Sequence, residues 1–437
     1  MYISTSRAVR PPSAEAPEAP AAADPAGPAG PETPAVPGRR RAWAGVESNV
    51  LALGSVSLVT DISSEMITAV LPMYVIFTLG LSPLQFGALN GMYFGVTALV
   101  RVAGGHAADR WQRRKLVAGG GYALSALCKL GLLAAGSSVP ALGAVIAADR
   151  TGKGLRTGPR DALISLSSTP QTLGRSFGAH RALDTTGAFL GPLAAFALLL
   201  ATPGQYDTVF VASFCVAAFG LVILALFVRD RQQPLARHER ATVRDVLALL
   251  LSPGFRRVGI GVLLLGAVTL SDSFVYLLIQ QRLDIPAEYF PLLPLGTTGV
   301  YLLMAMPLGQ LADRLGRLRV FVAGYGALLL AYLALFGPVG GPVLVITTLV
   351  LHGLFYAATD GVLMAAIGPM VPEHLRAAGM SLIQTGQSLA TLASSVLFGA
   401  AWSRWGLHTA LEVALTVLAV AIAAALVILP LRKESTA

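Results

Sequence analysis

The 437-residue chain is poor in cysteine and in charge: it has two cysteines, and Asp, Glu, Lys and Arg make up 13% of its residues. A soluble domain carries roughly 25% charged residues, so the composition argues against one. Cys128 and Cys215 each stand alone inside an apolar run. That placement excludes a disulfide framework and a cysteine-rich metal site and leaves both as core filler. No phosphate-binding Walker loop, no HExxH and no nucleophile elbow with a placed partner occurs, so neither ATP hydrolysis nor soluble-enzyme catalysis has its parts. No cofactor and no metal is implied, and the reading is not that of an enzyme. What the chain has instead is 54% apolar residues, too many for a soluble surface and suited to lipid. The net charge of +9 is not a nucleic-acid footprint, because the charges cluster in short loops between apolar runs.

Residues 1–44 differ from all that follows. The stretch from Pro11 to Pro37 is rich in Pro and Ala without apolar periodicity, which predicts a disordered tail. It has no apolar core or cleavage site of a signal peptide. Twelve apolar spans follow, at about 47–75, 84–104, 115–136, 140–161, 176–201 and 207–229, then 255–281, 291–312, 318–337, 342–366, 377–402 and 408–431. At roughly 20 residues per crossing, each is long enough to traverse a bilayer. Continuous apolar runs without alternation mean helices, because lipid offers no partner for an unpaired backbone group. The predicted fold class is therefore an all-α polytopic membrane protein. Its units are a first six-helix bundle at 45–229, a linker at 230–252 and a second six-helix bundle at 253–437. One set of connections carries Arg110, Arg113, Arg114, Lys115, Arg175, Arg229, Arg231, Arg237, Arg240, Arg314, Arg317, Arg319 and Arg376; the opposite set carries only Arg282 and Arg404. The basic set, with both termini, is expected on the cytoplasmic side of the cell membrane.

The halves repeat. Gly105-His106-Ala107-Ala108-Asp109-Arg110-Trp111-Gln112-Arg113 follows the second span, and Gly309-Gln310-Leu311-Ala312-Asp313-Arg314-Leu315-Gly316-Arg317 follows the eighth, about 204 residues later. Arg175-Ser176-Phe177-Gly178 and Arg376-Ala377-Ala378-Gly379 match at nearly the same offset. Paired six-helix bundles with a site between them are a transporter architecture. At these residues the chain resembles the major facilitator superfamily, over everything after the tail. The Gly-x-x-x-Asp-Arg-x-Gly-Arg loop is that family's most specific motif; Gln112 replaces a glycine in the first copy, and the second keeps Gly316. Arg150-Thr151-Gly152-Lys153-Gly154 resembles a second motif, with Lys153 in place of glutamine. Gly178, Gly187 and Gly191-Pro192 resemble a third motif, associated with antiporters, although Ala195-Phe196 replaces its closing glycine pair. These glycines have a second reading as close helix packing.

An ionisable residue at mid-membrane costs about 2.5–3.5 kcal/mol on insertion scales, so each needs an account. Asp61 and Glu65 lie one turn apart on the first span. Asp149, Lys153, Arg156 and Arg160 form a stripe along the fourth, about 16 Å long at 1.5 Å per residue, with Arg150 and Asp161 beside it. Arg156 and Arg160 also fit an interfacial or gate role. Asp272 and Tyr276 occupy the seventh span, and His352, Tyr356, Thr359 and Asp360 the tenth, although a lone buried histidine is more often satisfied packing. The resemblance implies that spans one, four, seven and ten line a central cavity.

Together these imply a secondary transporter of a small organic molecule, with protons as coupling ion and lipid as solvent. Asp61, Glu65 and Arg150 are the expected proton-coupling group. Lys153, Arg156, Asp272, Tyr276, His352, Tyr356 and Asp360 are the expected substrate cavity. Gly105, Asp109, Arg110, Arg113, Gly309, Asp313, Arg314 and Arg317 are the expected cytoplasmic gate. The expected direction is export by antiport; the alternative is uptake or exchange of an anionic metabolite held by the basic residues of the fourth span. A monomer is expected, with no nucleic-acid partner.

Overall fold

The computed structural model describes residues 46–111, 113–169, 172–230, 245, 248–372 and 375–430, with the side chains of 98, 99, 101–111, 376 and 377 left aside. The Pro/Ala tail and most of the 230–252 linker fall outside the described residues.

Thirteen α-helices lie among the described residues: α1 (Ser48–Met73), α2 (Pro83–Trp111), α3 (Arg114–Ala135), α4 (Val139–Leu166), α5 (Leu173–Ala201), α6 (Tyr206–Phe227), α7 (Pro253–Gly266), α8 (Asp272–Leu283), α9 (Leu292–Leu315), α10 (Arg317–Phe336), α11 (Gly341–Ile367), α12 (Arg376–Trp405) and α13 (Leu407–Ile428). Eight helical segments are long and apolar enough to cross a membrane by length and composition. The charged α4 is not among them. Their outer faces are apolar: Leu226, Leu303, Met306 and Val427 are strongly exposed, as a lipid-facing belt requires. Polar side chains within the helices bond to their own backbone, as when Thr60, Thr151 and Thr157 donate to the carbonyls of Val56, Ala147 and Lys153, which satisfies a hydroxyl without water.

The seventh span departs from the single helix expected at 255–281. It is two helices, α7 and α8, separated at 267–271. Neighbouring helices take over the backbone groups that the break releases. The Leu270 amide donates to Tyr332 Oη (2.8 Å), and Ser394 Oγ donates to the Thr269 carbonyl (2.5 Å). An interrupted membrane helix is tolerated where neighbours re-satisfy its backbone, and this one begins again at Asp272.

Two groups result, of six helices (α1–α6) and, with the seventh span divided, of seven (α7–α13). In the first, α1 packs on α5 and α6 while α4 packs on α2 and α3; in the second, α11 packs on α9 and α10, and α13 on α7, α10 and α12. Small residues set the closest crossings. A Cβ on Gly121 or on Gly152 would each lie 2.6 Å from the other's carbonyl oxygen, and Ser63 and Ser213 bond reciprocally between α1 and α6. The duplication is also visible in the turns. Left-handed backbone positions fall in equivalent places of the two halves: Gly80 with Asp284, Gly136 with Gly341, and Gly204 with Gly406.

The halves meet most closely between the start of α2 and the end of α12. Cβ atoms on Gly87 and Gly399 would lie 2.3 and 2.4 Å from the carbonyl oxygens of Ser395 and Pro83, so only glycine permits that approach. Asn90 donates to Ser271 (2.6 Å) and Ser395 (3.3 Å), and the Leu84 amide donates to Ser403 (2.9 Å). Phe274 stands edge-on to Phe86 and Phe398, at 5.0 Å from each. This seal lies on the face away from the described chain ends.

Candidate functional site

The first bundle holds a line of buried ion pairs. Asp149 on α4 accepts from Ser125 Oγ (2.5 Å), lies 3.6 Å from Lys129 Nζ, and pairs with its neighbour Arg150. The Arg150 guanidinium lies 3.8 Å over the Tyr93 ring, whose hydroxyl meets Thr68 (3.2 Å). Two turns on, Arg156 reaches Asp61 (3.3 Å) and lies over Tyr122 (4.5 Å). Arg160 then meets Asp161 (3.0 Å), Asp184 (3.7 Å) and Ser57 (3.2 Å), while Ser57 also bonds His180 (2.9 Å). Every arginine of the stripe thus has an acid, which is what a charge in low dielectric needs.

The pairing differs from the sequence reading in its partners. Asp61 meets Arg156, the residue also read as interfacial, whereas Arg150 turns to Asp149 and α2. Lys129 had no place in the sequence reading; its signal was a single cation in the middle of an otherwise apolar third span. Lys153 forms no ion pair among the described residues, although its charge reaches both Asp61 and Glu65.

A cavity of about 490 Å³ lies between the halves. Its first-half wall includes Glu65, Thr68, Asn90 and Tyr93; its second-half wall includes Asp272, Tyr276, Tyr301, Tyr356 and Asp360. Among the described residues, Glu65 makes no hydrogen bond and no ion pair. Its stem is pressed by α5, where a Cβ on Gly191 would lie 2.6 Å from Glu65 Cβ, and one on Gly187 would lie 2.4 Å from the Leu58 carbonyl. Gly178, by contrast, faces open space, and Pro192 is buried. So Gly187 and Gly191 seat α5 on α1 at the height of Glu65, and Gly178 has no packing duty.

Of the residues expected in the substrate cavity, Asp272, Tyr276, Tyr356 and Asp360 line it. Lys153 and Arg156 do not; Arg156 is committed to Asp61 behind the wall. His352 also stands behind, fully buried, with Nε2 3.6 Å from Asp272 and neither ring nitrogen hydrogen-bonded. Asp272 is the first residue of α8 and accepts from the Tyr356 hydroxyl; Tyr301 donates to Asp360 (3.4 Å). A second space of about 320 Å³ shares Asp272, Tyr356 and Asp360 and runs between the α7–α8 break and Gln384, Gln387 and Thr391 of α12.

At the expected gate, Arg317 binds Asp313 (3.0 Å) and the Ala365 carbonyl (2.9 Å), and Gly316 adopts φ +105°. Asp313 thus pairs within its own half. Gly309 meets open space, and Arg113 and Arg314 are exposed. Gly105, Asp109 and Arg110 fall on the stretch of α2 whose side chains lie outside the described residues.

Two helical bundles around a central cavity, one wall of which carries the restart of an interrupted helix, are a membrane-transporter architecture. The family model of the Major Facilitator Superfamily matches residues 53–301 and 273–437, and the chain belongs to that family. An uncharacterized MFS-type transporter of Methanocaldococcus jannaschii is 31% identical over 82% of this chain and 89% of its own length. An uncharacterized protein of Mycobacterium tuberculosis is 29% identical over 36% of this chain and 38% of its own length. Among solved structures, the nucleoside transporter NupG superposes with a TM-score of 0.74 at 16% identity, over 88% of this chain and 99% of that one. A peptide transporter POT in complex with sulfate gives 0.68 at 17%, over 88% and 96%. At such identities the likeness is one of fold.

Proposed function

We propose that this transporter exchanges protons for a small organic molecule, exporting the substrate across the cell membrane by alternating access. The observation that carries the reading is Glu65: it is an acid on the cavity wall with no salt-bridge partner among the described residues, whereas Asp61, one turn away, is held by Arg156. The charge state of such a carboxylate follows its access to water and to cations. Rocking of the halves changes that access, so Glu65 takes up a proton on one side and releases it on the other. Substrate and proton then compete for one cavity. Asp61 and Arg156 keep the nearby field fixed, and Lys153 supplies a positive charge within reach of Glu65.

The basic loops support an orientation with both chain ends on the cytoplasmic side. The α2–α12 seal then lies on the outer side, which supports a conformation closed to the outside. Asp313 paired with Arg317 in its own half fits a cytoplasmic latch that is released in this state. Of the residues that the anionic-metabolite reading uses as its clamp, Arg150 and Arg156 are already paired with Asp149 and Asp61, which weighs against it, and among the described residues only Lys153 of the three forms no ion pair.

The test uses purified protein in proteoliposomes with an imposed pH gradient and a panel of small organic substrates. Wild type is expected to move its substrate against the proton flow. Glu65→Gln is expected to lose gradient-driven flux and to keep substrate exchange at equal pH. Full gradient-driven transport by Glu65→Gln and Asp61→Asn alike would show the coupling assignment to be wrong.

A further inference from the structure

The charges of the two cavity walls are unequal. In the first half, most acids and bases are matched inside the bundle, Asp149 with Arg150 and Lys129, Asp61 with Arg156, and Arg160 with Asp161 and Asp184, while among the described residues Glu65 and Lys153 form no ion pair. The second half has no such matching. Asp272 and Asp360 both face the cavity, and among the described residues neither forms an ion pair with a lysine or arginine. The basic side chains described there stand at helix ends: Arg256 and Arg257 open α7, and Arg282 is bound to the carbonyls of Ala334, Leu335 and Val339. Arg314, Arg317 and Arg319 lie at the α9–α10 junction, and Arg404 closes α12. Arg181 of the first half, whose charge reaches Tyr301, is itself paired with Asp184 (3.6 Å).

A second observation marks the same place. His352, fully buried directly behind Asp272, has two ring nitrogens with no hydrogen bond, so this cluster is polar and unsatisfied as it stands. Phenol hydroxyls of Tyr356 and Tyr301 fix the two carboxylates, and the α8 N-terminus favours negative charge at Asp272. Around them, Tyr276, Phe290 and Phe94 complete the wall. Carboxylates without counterions beside aromatic rings, in a space of about 490 Å³, are complementary to a cation with an apolar body. A desolvated anion would meet two uncompensated carboxylates and be repelled.

From this we infer that the second half recognises an organic cation, an amine or quaternary centre on an aromatic or alicyclic body, with Asp272 and Asp360 as its counterions. The inference rests on reading this cavity as the transport site, and it divides the labour: Glu65 handles the proton and the α8–α11 wall handles the substrate charge.

The experiment is equilibrium binding of ethidium to the purified full chain in detergent, followed by fluorescence, with no gradient present. Ethidium is expected to bind and to be displaced by tetraphenylphosphonium but not by the anion 1-anilinonaphthalene-8-sulfonate. Asp272→Asn and Asp360→Asn are each expected to raise Kd at least about tenfold, because each removes a carboxylate that would pair with the bound cation. Asp272→Glu, which keeps the charge, is expected to recover binding, and Asp284→Asn, in a loop outside the cavity, to leave Kd unchanged. No ethidium binding by wild type, displacement by the anion, or an unchanged Kd in both Asn variants overturns the inference. Cation binding without pH-driven flux would sink the proton-exchange reading alone; pH-driven flux of anions or neutral molecules only would sink the cation alone.

Discussion

Asp149 holds two buried cations of the first bundle at once. It accepts from Ser125 and faces both Lys129 and Arg150, so removing it strands two cations. Breaking a buried pair from one side costs about 3–5 kcal/mol, and Asp149→Ala is expected to lower the unfolding temperature in detergent sharply or to prevent expression. Pairing it with Lys129→Met removes one stranded charge, so the double variant is expected to be more stable than Asp149→Ala. Equal or lower stability of the double variant would mean that Lys129 is not held by this carboxylate. Tyr93 offers a milder case. Tyr93→Phe deletes only the hydroxyl contact to Thr68 and keeps the ring beneath Arg150, so a loss within about 1 kcal/mol is expected. Tyr93→Ala also removes the cation–π contact, worth up to about 2 kcal/mol when desolvated, and is expected to be clearly the worse of the two by thermal unfolding.

At the scale of elements, three glycines of α5 separate packing from function. A methyl group on Gly191 would collide with the stem of Glu65 and with the Ile62 carbonyl (2.8 Å), while one on Gly178 would meet nothing. Gly191→Ala is therefore expected to spread α1 from α5 and lose stability by about 1–3 kcal/mol, the usual range for overpacking. Gly178→Ala is expected to unfold at the wild-type temperature. A stable Gly178→Ala protein that no longer transports would assign that glycine to the transport cycle and not to packing. The α7–α8 break has a comparable test. The Leu270 amide depends on Tyr332 Oη, and Tyr332→Phe leaves it unpaired in a dry interior, at about 1–3 kcal/mol, readable as a lower unfolding temperature.

For the whole molecule, the α2–α12 seal is the feature that decides which side of the cavity is shut. Because Gly87 and Gly399 meet backbone carbonyls rather than flexible side-chain ends, no local adjustment absorbs a larger residue. Gly399→Val is expected to weaken the seal and shift the population toward its open form. A cysteine placed at Phe86, in a background lacking Cys128 and Cys215, is then expected to react faster with a membrane-impermeant maleimide added from that face. An unchanged rate would show that the seal does not depend on the glycine contact.

Much of this architecture was readable before any coordinates. Lipid forces every backbone group to bond within its own segment, so long apolar runs fix helices, and the Asp-Arg loops at Asp109 and Asp313 fix the repeat. Mid-span charges had to be accounted for, which singled out Asp61, Glu65, Asp272 and Asp360. Partners were a different matter. Helical spacing says which residues share a face, but not which neighbour that face meets, so Arg156 on Asp61 and Arg150 on Asp149 came only from packing. Tertiary structure likewise decided the interruption of the seventh span, because Tyr332 and Ser394, far away in the chain, hold the broken backbone. It also decided that Arg150, Arg156 and Arg160 of α4 meet Asp149, Asp61 and Asp184 and do not line the cavity. One-dimensional order set the helices and their duplication; only three-dimensional proximity could set which charges cancel and which remain to meet a substrate.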